Sequence, residues 1–347
     1  MNFASDNWAG ATPEVMAALN RANEGFAPAY GDDALTARVK GLFAEVFEHE
    51  VEVWFVGTGT AANSMGLAGL TRPGGVMFAG EEAHVNTDES GAFEFQSGGM
   101  KIIGLRSPDG RIAPEALTAA LARHPEGGRS VPVALSLTNA TEWGTVYAPA
   151  QVAELAEIAR SRGVAVHIDG ARFGNAVAAT GASPAALTWR AGVDFMSFGA
   201  TKNGAWAAEA IVSFRPGLFD GMEQRRQRAG HVFSKARFVA AQFEGYFADG
   251  AWLKRAGHAN AMAERLRAGL QRSNRARLAW ESAINEVFAV VPVEVLAAVR
   301  AAGGAMHEWV PETAAEDRRP GAGEVMVRMV TSWATGVEEV DTFLALL

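Results

Sequence analysis

Cysteine is absent from the 347-residue sequence, which removes disulfide bonds and thiolate nucleophiles from consideration at the outset. Excess charge is also lacking. The 31 Lys and Arg against 39 Asp and Glu leave a net charge of −8, with both signs spread along the chain. This argues against nucleic acid or an anionic membrane as a partner. No apolar run approaches the ~20 residues of a membrane span. The opening Met1-Asn2-Phe3-Ala4-Ser5-Asp6 has neither a basic stretch nor an apolar one, so the expectation is a cytoplasmic protein without a secretory signal. Internal repeats and low-complexity linkers are missing too. What remains is ordinary globular composition, 49% hydrophobic and 20% charged with mean hydropathy +0.02. At ~150 residues per domain the length suggests about two domains.

From about residue 50 to 215, short β-branched or aromatic runs alternate with helical stretches. Candidate strands are Val51–Val56, Val76–Ala79, Lys101–Leu105, Val131–Leu137, Val164–Ile168, Asp194–Phe198 and Glu209–Phe214. Between them Pro149–Arg162 reads as a helix, with proline in its first turn and Val152, Leu155, Ala156 and Ala159 on one face. Strands alternating with helices imply crossover connections and a mostly parallel sheet covered on both sides. Two helices precede this region, one opened by Thr12-Pro13 and one following Asp32-Asp33 with Leu35, Val39, Leu42, Phe43, Val46 and Phe47 at helical spacing. After it come long helices over Ser234–Arg255 and His258–Arg272, then strands near Asn285–Val291 and Val325–Val330 with helices near Pro292–Ala302 and Val337–Leu346. The pattern divides the chain into a large α/β domain, 1–245, and a small C-terminal α+β domain, 246–347.

Three segments carry chemistry. In Val53–Asn63 a strand runs into Gly57-Thr58-Gly59-Thr60 and a helix of small residues; exposed N–H groups, hydroxyls and a helix N-terminus make a phosphate cradle, although an ordinary strand–helix turn has the same look. In Val164–Arg172 a buried strand ends in Asp169 followed by Gly170-Ala171. A carboxylate there can keep a pyridinium nitrogen protonated, with room for a flat ring beside it, or simply cap the following turn. In Asp194–Gly204 an apolar strand ends in Gly199-Ala200-Thr201-Lys202. Desolvation lowers the pKa of a lysine so placed and suits it to Schiff-base formation; a lone lysine after a strand is more often a solvated loop residue. Each signal is weak alone. Phosphate turn, strand-end Asp and strand-end Lys in this order match the arrangement of fold-type-I pyridoxal-phosphate enzymes.

Within that superfamily the chain resembles the threonine aldolase family, specifically the low-specificity L-threonine and phenylserine aldolases. The resemblance rests on Phe3–Asn7, Tyr30-Gly31-Asp32-Asp33, Gly59–Asn63, Ala83-His84, His167–Arg172, Thr201-Lys202-Asn203-Gly204 and Arg328. It implies a transferase-like α/β fold of type I with a mostly parallel central sheet, helices on both faces and a small C-terminal α+β domain. It implies pyridoxal 5'-phosphate as cofactor and no metal. Lys202 would carry the cofactor as a Schiff base, Asp169 would pair with the ring nitrogen, and His84 would stack on the ring. Thr58, Gly59 and Thr60 would hold the phosphate, with Lys235 reaching a neighbouring subunit's phosphate. Arg172 and Arg328, with Ser5, would bind the substrate carboxylate through the bidentate guanidinium fork.

The resemblance implies cleavage of β-hydroxy-α-amino acids such as L-threonine, L-allo-threonine and phenylserine to glycine and an aldehyde. It also implies a homo-oligomer, tetramer or dimer, with no nucleic-acid or membrane partner. One departure stands out. Many threonine aldolases carry a Thr-His-Asn segment whose histidine lies near the substrate hydroxyl, whereas Leu137–Trp143 contains no histidine. His84, alone or with Asp88, and a bound water are the remaining candidates for the general base. Rival readings on the same fold are a β-eliminating lyase, an aminotransferase, or a cofactor-binding protein without turnover.

Overall fold

The computed structural model describes residues 1–347. The main sheet has seven strands: β1 (Glu52–Val56), β2 (Gly75–Gly80), β3 (Lys101–Leu105), β4 (Val131–Thr138), β5 (Ala165–Gly170), β6 (Phe195–Gly199) and β7 (Glu209–Ser213). Their spatial order is β1-β7-β6-β5-β4-β2-β3. Pairing is parallel from β6 across to β3, and β7 is antiparallel to both its neighbours. The anticipated α/β architecture is therefore present. Strands β2, β5, β6 and β7 are buried along their whole length, which is why they read as continuous apolar runs rather than alternating ones.

Helices cover both faces. On one, Phe43 and Phe47 of the helix Ala34–Phe47 meet Phe198, Phe243 and Phe247 in an aromatic core. On the other, the helix Gly59–Ala68 lies over Phe195 and Ile211. Every residue of that helix from Ala61 to Ala68 is buried, as expected for a small-residue helix with no polar face.

The C-terminal region builds a second, antiparallel sheet from β8 (Arg277–Leu278), β9 (Glu286–Pro292), β10 (His307–Glu308) and β11 (Glu324–Val330), in the order β10-β11-β9-β8. Only β9 and β11 are long enough to leave a sequence pattern. The N-terminal segment docks on this sheet: Phe3 donates to Ala305 O and accepts from Val330 N, each at 2.8 Å. Residues 5 and 6 are thereby carried toward the main sheet.

One sequence expectation is corrected. Ser234–Arg255 and His258–Arg272 are not the helices; Arg237–Phe247 ends at a break over Ala248–Gly250, and a single helix then runs from Ala251 to Arg272. Asp249 and Gly250 adopt φ of 51° and 66°, which stops the first helix. Phe247 and Trp252, on either side, both bury in the same core, so apolar residues continue across the break and conceal it. Nothing near His258 interrupts the helix.

Candidate active site

The carboxyl ends of β5 and β6 place the two central residues. Asp169 on β5 pairs in register with Ser197 on β6, and the 3-10 turn Thr201–Asn203 then presents Lys202. The strand ends approach closely because residue 199 is glycine: a Cβ there would lie 2.7 Å from the Ala171 carbonyl oxygen and 2.8 Å from its Cα. Gly204, at φ 106°, closes the turn in a conformation that favours glycine. Glu209 on β7 supports the turn by accepting from the Thr201 N–H at 3.3 Å, and burial pushes its pKa up to about 7.

The Lys202 pKa is lowered, first by burial and next by the Arg172 charge, while Asp6, Asp169 and Glu286 pull the other way. No ion pair or hydrogen bond satisfies this amine. The lowering of its pKa is in the direction a nucleophilic amine requires.

Asp169 is 4% exposed and takes hydrogen bonds from Asn63 Nδ2 at 2.7 Å and the Ala171 N–H at 3.0 Å. Asn63 also donates to Glu89 Oε1 at 2.8 Å, and His84 Nδ1 lies 3.0 Å from the same oxygen. A relay His84–Glu89–Asn63–Asp169 results, buried from Glu89 to Asp169 and half exposed at His84. The His84 pKa is raised, first by its bond to Glu89, with Asp169 adding to it and burial opposing. Asp88 is not the partner of His84. It faces solvent and accepts from Thr87 Oγ1 at 2.8 Å, while Glu89 turns inward. Adjacent acids with opposite orientations carry no distinguishing pattern in the sequence, so Glu89 was missed. Asn63 sat in the glycine-rich motif without an assigned role.

On the opposite side, the Arg172 Nε and Nη2 donate to Asp6 at 2.8 and 3.1 Å, and Nη1 lies 3.3 Å from Glu286 Oε1. Burial would raise the Asp6 pKa, but Arg172 and Lys202 outweigh it and hold the carboxyl below its usual value. Ser5 is a neighbour by chain position; its Oγ caps the short turn Asp6–Trp8 by accepting from the Asn7 N–H. Arg328 lies on β11 opposite Phe288 of β9, on the sheet face that also carries Glu286. Its Nε is buried without a hydrogen-bond partner. Asp6 and Glu286 are further site residues without a role in the sequence reading: Asp6 lies inside the Phe3–Asn7 segment beside Ser5, and Glu286 stands beside no recognisable motif.

The turn Gly57–Thr60 opens the helix Gly59–Ala68. Thr58 caps it, accepting from the Ala61 N–H at 3.1 Å, which leaves the Gly59 and Thr60 N–H groups without acceptors in the chain. A Cβ on Gly59 would meet nothing within 4 Å, so open space lies over these donors. Lys235 is exposed, and no contact joins it to this turn. Its neighbours do reach it: His231 Nδ1 accepts from the Gly57 N–H at 3.3 Å, and Phe233 packs against Gly57.

Comparison with known proteins accords with this arrangement. The model of the beta-eliminating lyase family matches residues 2–293. A low specificity L-threonine aldolase of Pseudomonas aeruginosa is 38% identical over 97% of this chain and 94% of its own length. A second, from a Pseudomonas species, is 39% identical over 89% of each chain. The solved threonine aldolase of Leishmania major superposes with a TM-score of 0.91 at 26% identity, covering 99% of this chain and 98% of its own. Fold and site together define a pyridoxal-phosphate-dependent lyase of fold type I. The cofactor fits the residues present: a cradle of unsatisfied amides, an unpaired amine and a buried carboxylate with fixed donors. Within that class, the chain belongs to the low-specificity L-threonine aldolase family.

Proposed function

We propose that the protein cleaves L-threonine, L-allo-threonine and phenylserine to glycine and the corresponding aldehyde. The observation that carries this reading is the Lys202 amine, unpaired and shifted toward neutrality, set between Asp169 on one side and the Arg172–Asp6 pair on the other. Bound here, pyridoxal phosphate would supply the electron sink for the pair released when Cα–Cβ breaks.

In this reading Lys202 attaches the cofactor, Asp169 keeps its ring nitrogen protonated, and His84 covers the ring. Gly59 and Thr60 N–H groups with the Thr58 hydroxyl hold the phosphate, with Lys235 acting across a subunit boundary. Arg328, whose Nε has no partner, takes the substrate carboxylate. Arg172 assists with the guanidinium hydrogens that Asp6 and Glu286 leave free, and Ser5 adds a hydrogen bond. Anchoring the carboxylate and the ring independently fixes which substituent of Cα stands perpendicular to the ring.

A cytoplasmic homotetramer or dimer completes the reading. Phe26, Tyr30 and Trp206 stand in solvent in the single chain, the kind of surface that a second copy covers. The division into 1–245 and 246–347 falls just before the Ala248–Gly250 break.

Product analysis on the purified holoenzyme tests the function. Glycine plus acetaldehyde from L-threonine, and glycine plus benzaldehyde from phenylserine, is the expected outcome. Ammonia with a keto acid would move the assignment to β-elimination, and a keto acid formed only with an amino acceptor to transamination.

A further inference from the structure

The histidine that the family resemblance places near the substrate hydroxyl is missing, so the acceptor of the hydroxyl proton has to come from somewhere else in this chain. The acids around Lys202 differ in how fully they are engaged. Asp6 and Glu286 pair with Arg172, Asp169 and Glu89 share Asn63, and Glu209 supports the Thr201 turn. His84 is already engaged, its Nδ1 3.0 Å from Glu89 Oε1, and that bond is the first cause of its raised pKa. Asp88 faces solvent.

Glu142 is different. It follows β4, whose last residue, Thr138, pairs in register with Asp169. Its flanking residues Thr141 and Trp143 are both buried and pinned. Thr141 Oγ1 lies 2.8 Å from Thr145 Oγ1, and the Trp143 indole N–H donates to Glu82 at 2.7 Å. The Glu142 Oε1 accepts from the His84 backbone N–H at 2.8 Å and from Thr138 Oγ1 at 3.1 Å. These two bonds fix the carboxylate and leave Oε2 with no donor from any other residue. Charge coupling links it both to Asp169, which disfavours its ionisation, and to Arg172, which it stabilises. Its two donors tie it to the site: Thr138 pairs in register with Asp169, and His84 is joined to Asp169 through Glu89 and Asn63, so the free Oε2 belongs to the Asp169 end of the site. Burial, its largest influence, pushes its pKa up to about 7, against the His84 and Thr138 hydrogen bonds. A base with that pKa is half ionised near neutrality and can both take and return a proton.

We propose that Glu142 is a catalytic residue whose Oε2 takes the proton of the substrate's β-hydroxyl as the Cα–Cβ bond breaks. The O–H bond breaks and its proton passes to Oε2. Its electron pair becomes the second C–O bond of the departing aldehyde, and the Cα–Cβ pair remains on Cα. One proton is then gained at Cα to give glycine, so the hydroxyl proton lost and the Cα proton gained balance. The inference rests on the retro-aldol reading above.

The test uses the holoenzyme with Glu142→Gln, which keeps an oxygen for the His84 and Thr138 donors, and with Glu142→Asp, which keeps the charge. Three quantities are measured: aldehyde release from L-threonine across pH, the visible absorbance of the bound cofactor, and exchange of the glycine α-proton in deuterated water. Glycine has no β-hydroxyl, so its exchange has no need of Glu142. The Gln variant is expected to retain absorbance and glycine exchange while aldehyde release falls roughly 10²–10⁴-fold, the usual worth of general base catalysis. The ascending limb of the wild-type kcat/KM profile, set near the Glu142 pKa, should vanish with it. The Asp variant should recover part of the rate. Aldehyde release in the Gln variant close to wild type overturns the inference alone. So does loss of glycine exchange in step with cleavage, because that pattern means a structural role. A wild-type enzyme that exchanges glycine but releases no aldehyde overturns the retro-aldol reading and this inference together.

Discussion

Phe198 and Lys202 both belong to the end of β6, one in the strand and one in the turn that follows, yet their surroundings are opposite in kind. Phe198 meets the rings of Phe43, Phe47, Phe173, Phe243, Phe247 and Trp252 at centroid distances between 5.4 and 6.2 Å. Lys202 sits among Asp6, Asp169, Arg172 and Glu286 with no direct partner. Apolar burial is additive and indifferent to what the neighbour is, so every ring in the cluster adds stability. Burial of charge is costly unless each group is compensated, and here the compensation is incomplete at Lys202 and at the Arg328 Nε. Those unsatisfied groups are what a cofactor and a substrate carboxylate would complete. Stability is concentrated on one side of the strand end and chemistry on the other.

That contrast is most severely tested by exchanging the two residues' fates. Lys202→Ala is expected to lower aldehyde release on the order of 10⁴-fold or more, as when a covalent catalyst is removed. Denaturant unfolding of the cofactor-free protein should move little, because no native contact of the amine is lost. A large loss of stability would mean that the charged cluster is holding the fold after all. Phe198→Ala should do the reverse and destabilise by about 3–5 kcal/mol, the range for a large core aromatic. Cleavage rate per bound cofactor should be nearly retained. If that rate collapses in a protein that remains folded, the two regions are coupled through β6 and the division is too sharp.

How much of this could be read from residues alone follows the same division. The strands leave short apolar runs and the helices on both faces a periodic signal, because each buries an apolar surface. The strand-end Asp169 and Lys202 are legible because each closes an apolar run, and the Thr58–Thr60 turn because glycines and hydroxyls cluster there. Asp6, Glu89, Glu142 and Glu286 were not assigned, since their meaning lies in what they face. Asp88 and Glu89 look alike in sequence and point in opposite directions only because the short helix after His84 turns one inward. The break at Asp249-Gly250 was hidden for a related reason. Apolar periodicity records which positions bury, and Phe247 and Trp252 bury in one core whether or not the helix between them is continuous.

Arg328 offers a smaller and more local test. If its guanidinium serves a substrate carboxylate rather than the fold, Arg328→Lys removes the second, parallel hydrogen bond while leaving the charge. The KM for L-threonine should then rise roughly 10-fold, about 1.4 kcal/mol, with stability unchanged. Steady-state kinetics beside a thermal melt separate the cases. An unchanged KM with a lowered melting temperature would place Arg328 with the structural residues.

His167 gives the smallest effect and the finest probe, because it is a polar residue living by the rules of the apolar side. It lies in the middle of β5, two positions before Asp169, with Nδ1 2.9 Å from Ser136 Oγ and Nε2 3.0 Å from Ser197 Oγ. Its ring packs against Phe195 with centroids 4.6 Å apart. Burial pushes its pKa down to about 4, against a weaker upward pull from Asp169. The imidazole is thus neutral in the fold, donating to one serine and accepting from the other. In the unfolded chain it titrates near 6.5. The folded pKa is the lower one, so between about pH 6.5 and 4 the unfolded state binds the extra proton and stability falls as the pH drops. The loss attributable to this residue approaches about 1.4 kcal/mol per pH unit within that window and vanishes above it. His167→Gln keeps a donor and an acceptor between the two serines and removes the titration. Urea unfolding at pH 7 and pH 5 should show a steeper decline for wild type than for this variant. Equal declines would mean that the histidine is charged in the fold, and that the polar character of the site extends further into the sheet than Asp169.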